Sequence, residues 1–243
     1  MARLSCVTWN IHRAKGEDGL EDPARALGAI ETAIVPLKPD VLALQEADGE
    51  CRPHGRIVDV ARIARQTGLD YAHDRPELRW GPDSDGFLGT ILFVHPRLRR
   101  AHADVIDLPG HCHRGAISVE TVTAEGQECR IMSMHLSLSQ PLRIVQMRIV
   151  GQYLRRRPAM QTIVLGDLNE WRPWGGLAFS EKLVGTALRG PAKATFPARR
   201  PILALDRILT NAPGRVEGVT VIDHPHANAA SDHRALYGEV TVA

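Results

Sequence analysis

Short apolar segments recur along the chain and predict β-strands. Most positions within them are apolar, a pattern typical of strands that are buried on one or both faces. They cover residues 4–11, 41–45, 90–94, 116–122, 130–136, 162–165, 202–210, 215–222 and 236–242. The pattern therefore predicts nine strands, which are spread over the whole length of the chain.

Three further segments carry apolar residues at helical spacing. The first covers residues 23–36 and begins with Pro23, a residue favoured in the first turn of a helix. The second covers residues 56–67 and ends at Gly68. The third covers residues 141–157 and ends in three consecutive arginines, which suit the negative end of a helix dipole or could face a phosphate. We favour a solvated helix end for these arginines.

The order of these elements indicates the fold class. Predicted strands outnumber helices, and the helices are too widely spaced for a strict alternation of strand and helix. We therefore expect an α/β (α+β) fold with two mainly antiparallel sheets and helices on the outside. The sequence contains no internal repeat, low-complexity segment or linker, so residues 1–243 are expected to form one domain.

Composition excludes several classes of protein. The chain has 243 residues, of which 44% are hydrophobic and 24% charged, so it does not resemble a disordered protein. Its 30 basic and 28 acidic residues leave a formal net charge of +2. A nucleic-acid partner would therefore need a local basic patch rather than a general positive field.

The cysteines and the first residues bear on the cellular compartment. Cys6, Cys51, Cys112 and Cys129 show no CxxC spacing, and we expect them to be reduced thiols. The N-terminal residues become charged after a short apolar run, and no apolar segment approaches the ~18 residues of a membrane span. The sequence thus predicts a cytoplasmic protein without a transmembrane segment, with export by another route as the alternative.

Polar residues interrupt, follow or, in the last case, directly precede five of the apolar segments, where packing gives no reason for them. Taken singly, each has an ordinary structural explanation as a turn, a loop cap or a core histidine. Five such positions in one chain favour a site for chemistry instead. The residues concerned are Asn10, Glu46, His135, Asp167, Asn169, Asp232 and His233.

Three of these residues predict a metal site. Asn10, Glu46 and Asp232 offer only oxygen ligands, which suit Mg²⁺ or Mn²⁺ rather than Zn²⁺. Magnesium keeps several waters and takes further ligands from a substrate phosphate, so we expect few protein ligands.

The other residues predict catalysis on a phosphoryl group. His135 and His233 can donate hydrogen bonds to a phosphoryl group whose charge grows in the transition state. Asp167 can position or deprotonate an attacking water, and Asn169 can hold that water or a phosphate oxygen. Asp206 is embedded in an apolar segment and is the candidate carboxylate to orient His233.

Six short motifs follow one another between residues 9 and 233. They are Trp9-Asn10, Leu44-Gln45-Glu46, Met134-His135-Leu136, Gly166-Asp167-Leu168-Asn169, Leu205-Asp206-Arg207-Ile208 and Ser231-Asp232-His233. In these motifs and in their order the sequence resembles the endonuclease/exonuclease/phosphatase superfamily, which has the deoxyribonuclease I-like fold. It looks like a bacterial-type subgroup of uncertain substrate.

This resemblance implies a four-layer α/β/β/α sandwich and metal-dependent hydrolysis of a phosphoester by direct attack of water. It also implies the metal ligands and catalytic residues that the residue types suggest above. It leaves open whether Asp167 or His233 is the general base. The sequence departs from the family in two ways. Residues 86–92 lack an asparagine that many members carry, and that region offers no carboxylate to pair with His135.

Four residues close to the motifs are candidate substrate contacts. Trp171, Arg172 and Trp174 follow the fourth motif in a loop that ends in glycine. The tryptophans could stack on a base, cover a sugar or lipid headgroup, or pack as a loop core. Arg114, just before the predicted strand 116–122, is a candidate phosphate contact.

Two histidine-containing segments could suggest zinc instead. His111-Cys112-His113 and Asp223-His224-Pro225-His226 alternate ligands along a short stretch, but no second cluster completes a tetrahedral site. The sequence also lacks the G-x-S-x-G motif of serine hydrolases and a Walker-type phosphate loop. We therefore do not expect zinc, serine-hydrolase or P-loop chemistry.

Together these observations predict a phosphoric ester hydrolase that depends on Mg²⁺ or Mn²⁺, and more specifically a phosphodiesterase. A DNA or RNA nuclease of the same superfamily is one alternative, and a catalytically inactive member that acts as a binding module is another. The expected partner is a phosphoester substrate, which could be a small molecule, a lipid headgroup or a nucleic acid. The sequence indicates no obligate protein partner.

Overall fold

Two β-sheets pack face to face in the computed structural model, which describes residues 2–110, 112, 114–172 and 174–243. The strands are β1 (Ala2–Asn10), β2 (Val41–Gln45), β3 (Asp70–Tyr71), β4 (Ile91–Val94), β5 (Arg99–Leu108), β6 (Arg114–Val122), β7 (Glu128–His135), β8 (Gln161–Asp167), β9 (Asp206–Thr210), β10 (Arg215–Val221) and β11 (Leu236–Val242). The α-helices are α1 (Pro23–Ala29), α2 (Val60–Thr67), α3 (Gln140–Arg156), α4 (Glu181–Val184) and α5 (Pro225–Ala230).

The strand order brings the motif-bearing strands next to one another, β1 beside β2 in one sheet and β7, β8 and β9 side by side in the other. The six-stranded sheet has the order β10–β11–β1–β2–β4–β3, and the five-stranded sheet has the order β5–β6–β7–β8–β9. Among the described strands, β1 with β2 and β7 with β8 pair in parallel, and the other neighbours are antiparallel. Asn10 therefore lies beside Gln45, and His135 lies beside Asp167. The prediction of two mainly antiparallel sheets is confirmed.

The central core lies between the two sheets, because alternate residues of a strand point to opposite faces. In β1, Leu4 and Cys6 point into this core, whereas Val7 and Trp9 point outward toward helices. Helices α1, α2 and α5 cover the outer face of the six-stranded sheet, and α3 covers that of the five-stranded sheet. The four-layer α/β/β/α sandwich is therefore confirmed.

The predicted helices are found, with one shifted boundary. Residues 23–37 are helical throughout, since α1 continues as a π-helical turn (Ile30–Ile34) and a 3-10 turn (Val35–Leu37). The second helix begins at Val60 rather than at residue 56. The Asp59 carboxylate caps it there, because it accepts a hydrogen bond of 2.8 Å from the main-chain N–H of Arg62.

The predicted strands differ from the structure in three places, because the short β3 and the longer β5 were not predicted and the predicted strand 202–210 begins too early. The apolar pattern does not reveal β5, which lies at the edge of the five-stranded sheet and exposes alternate residues such as Arg99 and Ala101. Residues 202–205 do not belong to a strand, because β9 begins at Asp206. The preceding loop instead folds back on itself and forms an isolated bridge between Phe196 and Leu203.

The cysteines and the helices agree with two further expectations. All four cysteines are free, with Cys6 and Cys129 buried and Cys51 and Cys112 exposed. Within the described residues, no helix is both long and apolar enough to cross a membrane.

Candidate active site

The candidate site lies at one end of the space between the two sheets. In β1, Thr8 and Asn10 continue the alternation that points Leu4 and Cys6 into the core, so their side chains enter the same space. The same alternation brings inward the last residue of β7, the last of β8 and the first of β9. These residues are His135, Asp167 and Asp206, and each is buried.

A layer of buried hydrogen bonds separates this site from the apolar core. Thr8 Oγ1 donates to Gln45 Oε1 at 3.1 Å, and Gln45 Nε2 donates to Ser133 Oγ at 3.4 Å across the two sheets. All three side chains are fully buried. Buried polar groups that satisfy one another fix the separation and register of the strands on which the site is built.

Asp167 is the centre of the site. Its Oδ2 accepts a hydrogen bond of 2.9 Å from Asn10 Nδ2, and it lies 3.3 Å from His135 Nε2 and 3.9 Å from His233 Nε2. Asn10 comes from the six-stranded sheet and His135 from the five-stranded sheet, so the carboxylate joins the two halves of the fold. The missing partner of His135 is thus supplied by the neighbouring strand, not by residues 86–92.

Glycine precedes Asp167 because no larger residue fits there. Gly166 has a φ of +146°, a conformation that side chains other than glycine rarely adopt. A Cβ atom at this position would lie 1.9 Å from the main-chain oxygen of Met134 on β7. The close approach of β7 and β8 at this point brings His135 and Asp167 together.

The backbone after Asp167 also bends sharply. Asn169 has a φ of +51°, and its N–H donates to Asp167 Oδ1 at 3.1 Å. Its side-chain Nδ2 donates to the main-chain oxygen of Leu136 at 2.9 Å. Asn169 therefore holds the Asp167 carboxylate and joins the loops that follow β7 and β8.

His233 contacts a buried carboxylate, that of Asp206. Its Nδ1 lies 2.8 Å from Asp206 Oδ2, which also accepts a hydrogen bond of 2.6 Å from Thr195 Oγ1. The Phe196 ring packs against the imidazole with 4.9 Å between ring centroids. The Ser231 hydroxyl accepts from the His233 N–H at 3.1 Å and donates to the Asn10 main-chain oxygen at 2.7 Å. The last motif is thereby attached to the end of β1.

Burial and neighbouring charges set the protonation of the site. Burial disfavours the charged form of His233, but Asp206 and Asp167 outweigh it and raise the pKa of the imidazole to about 10. Burial also opposes ionisation of Asp167, yet His135 and His233 hold the pKa of its carboxyl below the usual range. Burial, aided by Arg114, lowers the pKa of His135. Near neutral pH the site thus contains an ionised Asp167, a protonated His233 and a neutral His135.

The pKa of Asp206 is shifted in the opposite direction from that of Asp167. Burial raises the pKa of Asp206, although the charge of His233 opposes this shift. Asp206 Oδ2 lies 2.8 Å from Nδ1 of the His233 imidazolium, so the two groups form a buried ion pair.

The predicted metal ligands are close to Asp167 but do not form a single contact cluster. Asn10 Nδ2 lies 3.4 Å from Glu46 Oε1 at the ends of the parallel strands β1 and β2. His12 lies between Asp232 and Asn10. Its Nδ1 is 3.5 Å from Asp232 Oδ1, and its main-chain N–H donates to Asn10 Oδ1 at 2.9 Å. In the described residues, no group of three His, Cys, Asp or Glu side chains forms a metal site by itself.

The donor set nevertheless fits a hard divalent cation. Glu46, with a φ of +52°, turns its carboxylate back toward the end of β1. Asp232 Oδ1 is buried and makes no hydrogen bond, although His12 Nδ1 lies 3.5 Å from it. A carboxylate and an amide oxygen are ligands that Mg²⁺ prefers, with water and substrate completing the coordination.

The predicted substrate contacts fall into two groups. Arg114, at the start of β6, lines a cavity together with Glu46 and His135, and its charge also acts on Asp167. Arg172 instead donates hydrogen bonds of 3.0 and 2.9 Å to the carboxylate of the fully buried Glu170.

The two tryptophans differ in whether their rings are already contacted by other side chains of the protein. The guanidinium groups of Arg143 and Arg172 lie 5.4 and 5.3 Å from the centroid of the Trp171 ring, which is therefore engaged within the protein. The Trp174 side chain is 75% exposed and remains available for contacts.

Sequence reasoning missed several residues of the site. Arg13, which follows the first motif, contacts the Glu46 carboxylate and lies 3.3 Å from Glu50. Glu170, the next residue after the fourth motif, pairs with Arg143 of α3 at 3.5 Å. Their positions directly beside motifs could have indicated them, but their partners are distant in sequence. Of the zinc alternative, His111 and His113 lie outside the described residues.

Comparisons with known proteins agree with this geometry. The profile described as the Endonuclease/Exonuclease/phosphatase family matches residues 7–233. The protein YbhP of Escherichia coli K12, itself called uncharacterized, is 26% identical over 233 residues that cover 88% of each chain.

Solved structures share the fold over the whole chain. An endonuclease/exonuclease/phosphatase from Bacteroides vulgatus superposes with a TM-score of 0.76 at 13% identity and covers 100% of both chains. TDP2 from D. rerio, in complex with a single-strand DNA product, superposes with a TM-score of 0.70 at 17% identity and also covers 100% of both chains. At these identities the likeness shows the fold alone. Since the family profile spans nearly all of the sequence, the chain belongs to the endonuclease/exonuclease/phosphatase family.

Proposed function

We propose that this protein is a divalent-metal-dependent phosphodiesterase that hydrolyses a phosphodiester by direct attack of an activated water. One observation carries the proposal. Asp167 Oδ2 contacts Asn10 and His135 and lies 3.9 Å from His233 of the Asp206–His233 pair, at the ends of strands from both sheets. Paired acid and base groups with opposite pKa shifts are typical of sites that transfer protons.

The protein residues divide the proton chemistry between them. Asp167 Oδ2 is the acceptor that can orient an attacking water and take its proton, because the carboxyl stays ionised. His233 Nε2 is the donor that can hydrogen-bond a phosphoryl oxygen or the leaving group, because Asp206 holds the ring through Nδ1. His135 contributes a neutral N–H next to the same position.

Asn10 and Glu46 would hold the divalent cation, with Asp232 nearby. When bound, Mg²⁺ or Mn²⁺ supplies positive charge that polarises the phosphate and offsets the charge of the transition state. Arg114 can add a further cationic contact to the phosphate from β6. Burial lowers the pKa of its guanidinium, and the negative charge of Asp167 opposes this shift.

The test is hydrolysis of a panel of phosphoesters in Mg²⁺ or Mn²⁺: bis-p-nitrophenyl phosphate, a phosphomonoester, a phospholipid, plasmid DNA and RNA. We expect turnover of diesters, and a loss of about 100-fold or more in Asp167→Asn and His233→Gln. The matched control is His102→Gln, which breaks a His102–Asp104 pair of 2.6 Å on the edge strand β5 and should leave turnover unchanged.

Two results would contradict the proposal. Near wild-type turnover in both site variants would show that these residues are not the catalytic groups. Mn²⁺ binding without hydrolysis of any member of the panel would favour the inactive binding module instead. Cleavage restricted to DNA or RNA would identify a nuclease, in line with the single-strand DNA product bound to the structurally similar TDP2.

A further inference from the structure

The outer helix α3 presents basic residues without acidic neighbours in its sequence. Residues 129–166 contain no aspartate or glutamate, whereas Arg148, Arg155 and Arg156 are exposed on α3. In the described part of the chain, the ion pairs of helix α3 and the residue after it involve Arg143 near the start of the helix and Arg157 just after its end, each with a carboxylate from another element. Among the described residues, no ion pair neutralises the exposed arginines between them.

Exposed apolar side chains gather at the beginning of the same helix. Among the described residues, eight large apolar side chains are exposed, and five of them lie between residues 138 and 177. Leu138 is 72% exposed and Leu177 is 57% exposed, and Trp174 protrudes from the loop beside them. A cluster of exposed apolar residues in an otherwise polar surface marks an interaction site.

A groove joins the apolar and basic residues. It lies between α3 and the segment that contains Leu177 and α4, with a volume of about 440 Å³. Its apolar lining comes from Ile144, Leu177 and Leu183, and its basic lining from Arg148, Arg155 and Lys182. We call these six residues, together with Leu138, Val145 and Trp174, the α3 surface.

We propose that the α3 surface docks on an anionic lipid bilayer. Leucine, valine and tryptophan side chains at this surface can enter the boundary between headgroups and acyl chains, where tryptophan is favoured. The arginines and Lys182 then meet the anionic headgroups, which attract basic residues near the membrane. The surface thus matches a bilayer in both its apolar and its charged part.

A single-stranded nucleic acid matches the same surface less well. Binding of that kind needs free aromatic faces on which bases stack. The Trp171 ring is already contacted by Arg143 and Arg172, which leaves Trp174 as the exposed aromatic ring of the α3 surface. The exposed side chains of Leu138 and Leu177 are aliphatic. Aliphatic groups gain most by leaving water for an apolar medium.

Docking on a bilayer would place the candidate active site beside the membrane. Leu138 follows His135 by three residues, and Trp174 lies in the loop that follows Asn169. The proposal does not depend on the reaction, because it concerns only where the protein binds.

Flotation with phosphatidylcholine vesicles, with and without phosphatidylglycerol, tests the charged part. We expect binding only with the anionic lipid, and a reduction of about 25-fold in Arg148→Gln/Arg155→Gln, from about fivefold for each basic residue. The matched control, Arg62→Gln/Arg65→Gln, removes two exposed arginines from α2 on the opposite outer layer and should bind as wild type. Equal loss in both double variants would overturn the proposal.

Insertion is tested separately. Phospholipids with brominated acyl chains should quench the fluorescence of Trp174, and Leu138→Ser/Leu177→Ser should reduce vesicle binding by about tenfold or more. Turnover of a soluble diester should not change in Leu177→Ser, which separates this proposal from the proposed reaction. Absence of vesicle binding in the wild type, or loss of single-stranded DNA binding without loss of vesicle binding in these variants, would overturn it.

Discussion

The glycine before Asp167 allows a sharp test of how the fold builds the site. In Gly166→Ala, the added Cβ would meet the main-chain oxygen of Met134 at 1.9 Å and its carbonyl carbon at 3.0 Å. Because both atoms belong to the backbone of a paired strand, no side-chain movement can relieve the contact. The alanine must also adopt a φ of +146° or force the strand to change.

The size of the effect follows from these two terms. A non-glycine residue in this part of conformational space costs about 1–3 kcal/mol. Displacement of β8 from β7 adds the loss of packing and hydrogen bonding between central strands, so we expect a total of about 3–5 kcal/mol in the free energy of unfolding. For a chain of this size that lowers Tm by roughly 10 °C. Most domains have about 5–15 kcal/mol of stability, so the variant should still fold.

Thermal and urea unfolding of the variant measure this loss, and diester hydrolysis measures the displacement of Asp167. Gly28→Ala is the matched control, because a Cβ on Gly28 of α1 meets no atom within 4 Å. That substitution should stabilise the protein by about 0.5–1 kcal/mol through better helix propensity. A loss below about 1 kcal/mol in Gly166→Ala, or unchanged hydrolysis in the folded variant, would refute the reasoning.

Three further outcomes are expected. Asp206→Asn should lower kcat by about 100-fold with the fold intact, because His233 loses the carboxylate that holds its Nδ1, as measured by steady-state hydrolysis and circular dichroism. Arg13→Gln should raise the affinity for Mn²⁺ by about tenfold in calorimetry without substrate, since it removes the cation that contacts Glu46. Burial lowers the pKa of His73 to about 4, so the unfolded chain binds a proton that the folded chain does not as pH falls from ~6.5 to ~4. Urea unfolding over this window should therefore show a loss of about 3 kcal/mol that is absent in a His73→Gln variant.

Each of these outcomes has a result that would contradict it. Full activity of Asp206→Asn would show that the buried carboxylate does not hold His233 for catalysis. Weaker or unchanged Mn²⁺ binding in Arg13→Gln would remove Glu46 from the proposed metal ligands. Equal pH dependence of wild type and His73→Gln would mean that burial does not keep the His73 ring neutral in the folded protein.

The fold was largely predictable because the buried strands are almost purely apolar. The alternation in β1 that buries Leu4 and Cys6 is a local property, and it also indicates that Asn10 points inward. The edge strand β5 was not predicted because many of its residues face water, so its sequence contains no continuous apolar run. The start of α2 depended on one cap, Asp59, rather than on apolar spacing.

The candidate site was predictable only in part, for a similar reason. Residue type and strand-end position identified Asp167 and His233, whose proximity arises from the packing of two sheets. The ion pairs of Arg13 and Arg172 could not be read from the sequence, because each depends on where a neighbouring loop turns. Trp171 was ambiguous from the sequence, and the structure shows two guanidinium groups next to its ring.

The pairing of β1 with both β2 and β11 has a consequence for folding. β1 is one of the first segments of the sequence and β11 one of the last, yet Thr8 pairs with Leu236 in the middle of a sheet. Closing so long a loop has an entropic cost that is recovered only when the final strand docks, which is typical of slow, cooperative folding. Asn10 and His233 meet only after that event, so recovery of hydrolysis during refolding would report completion of the last step rather than formation of the first structure.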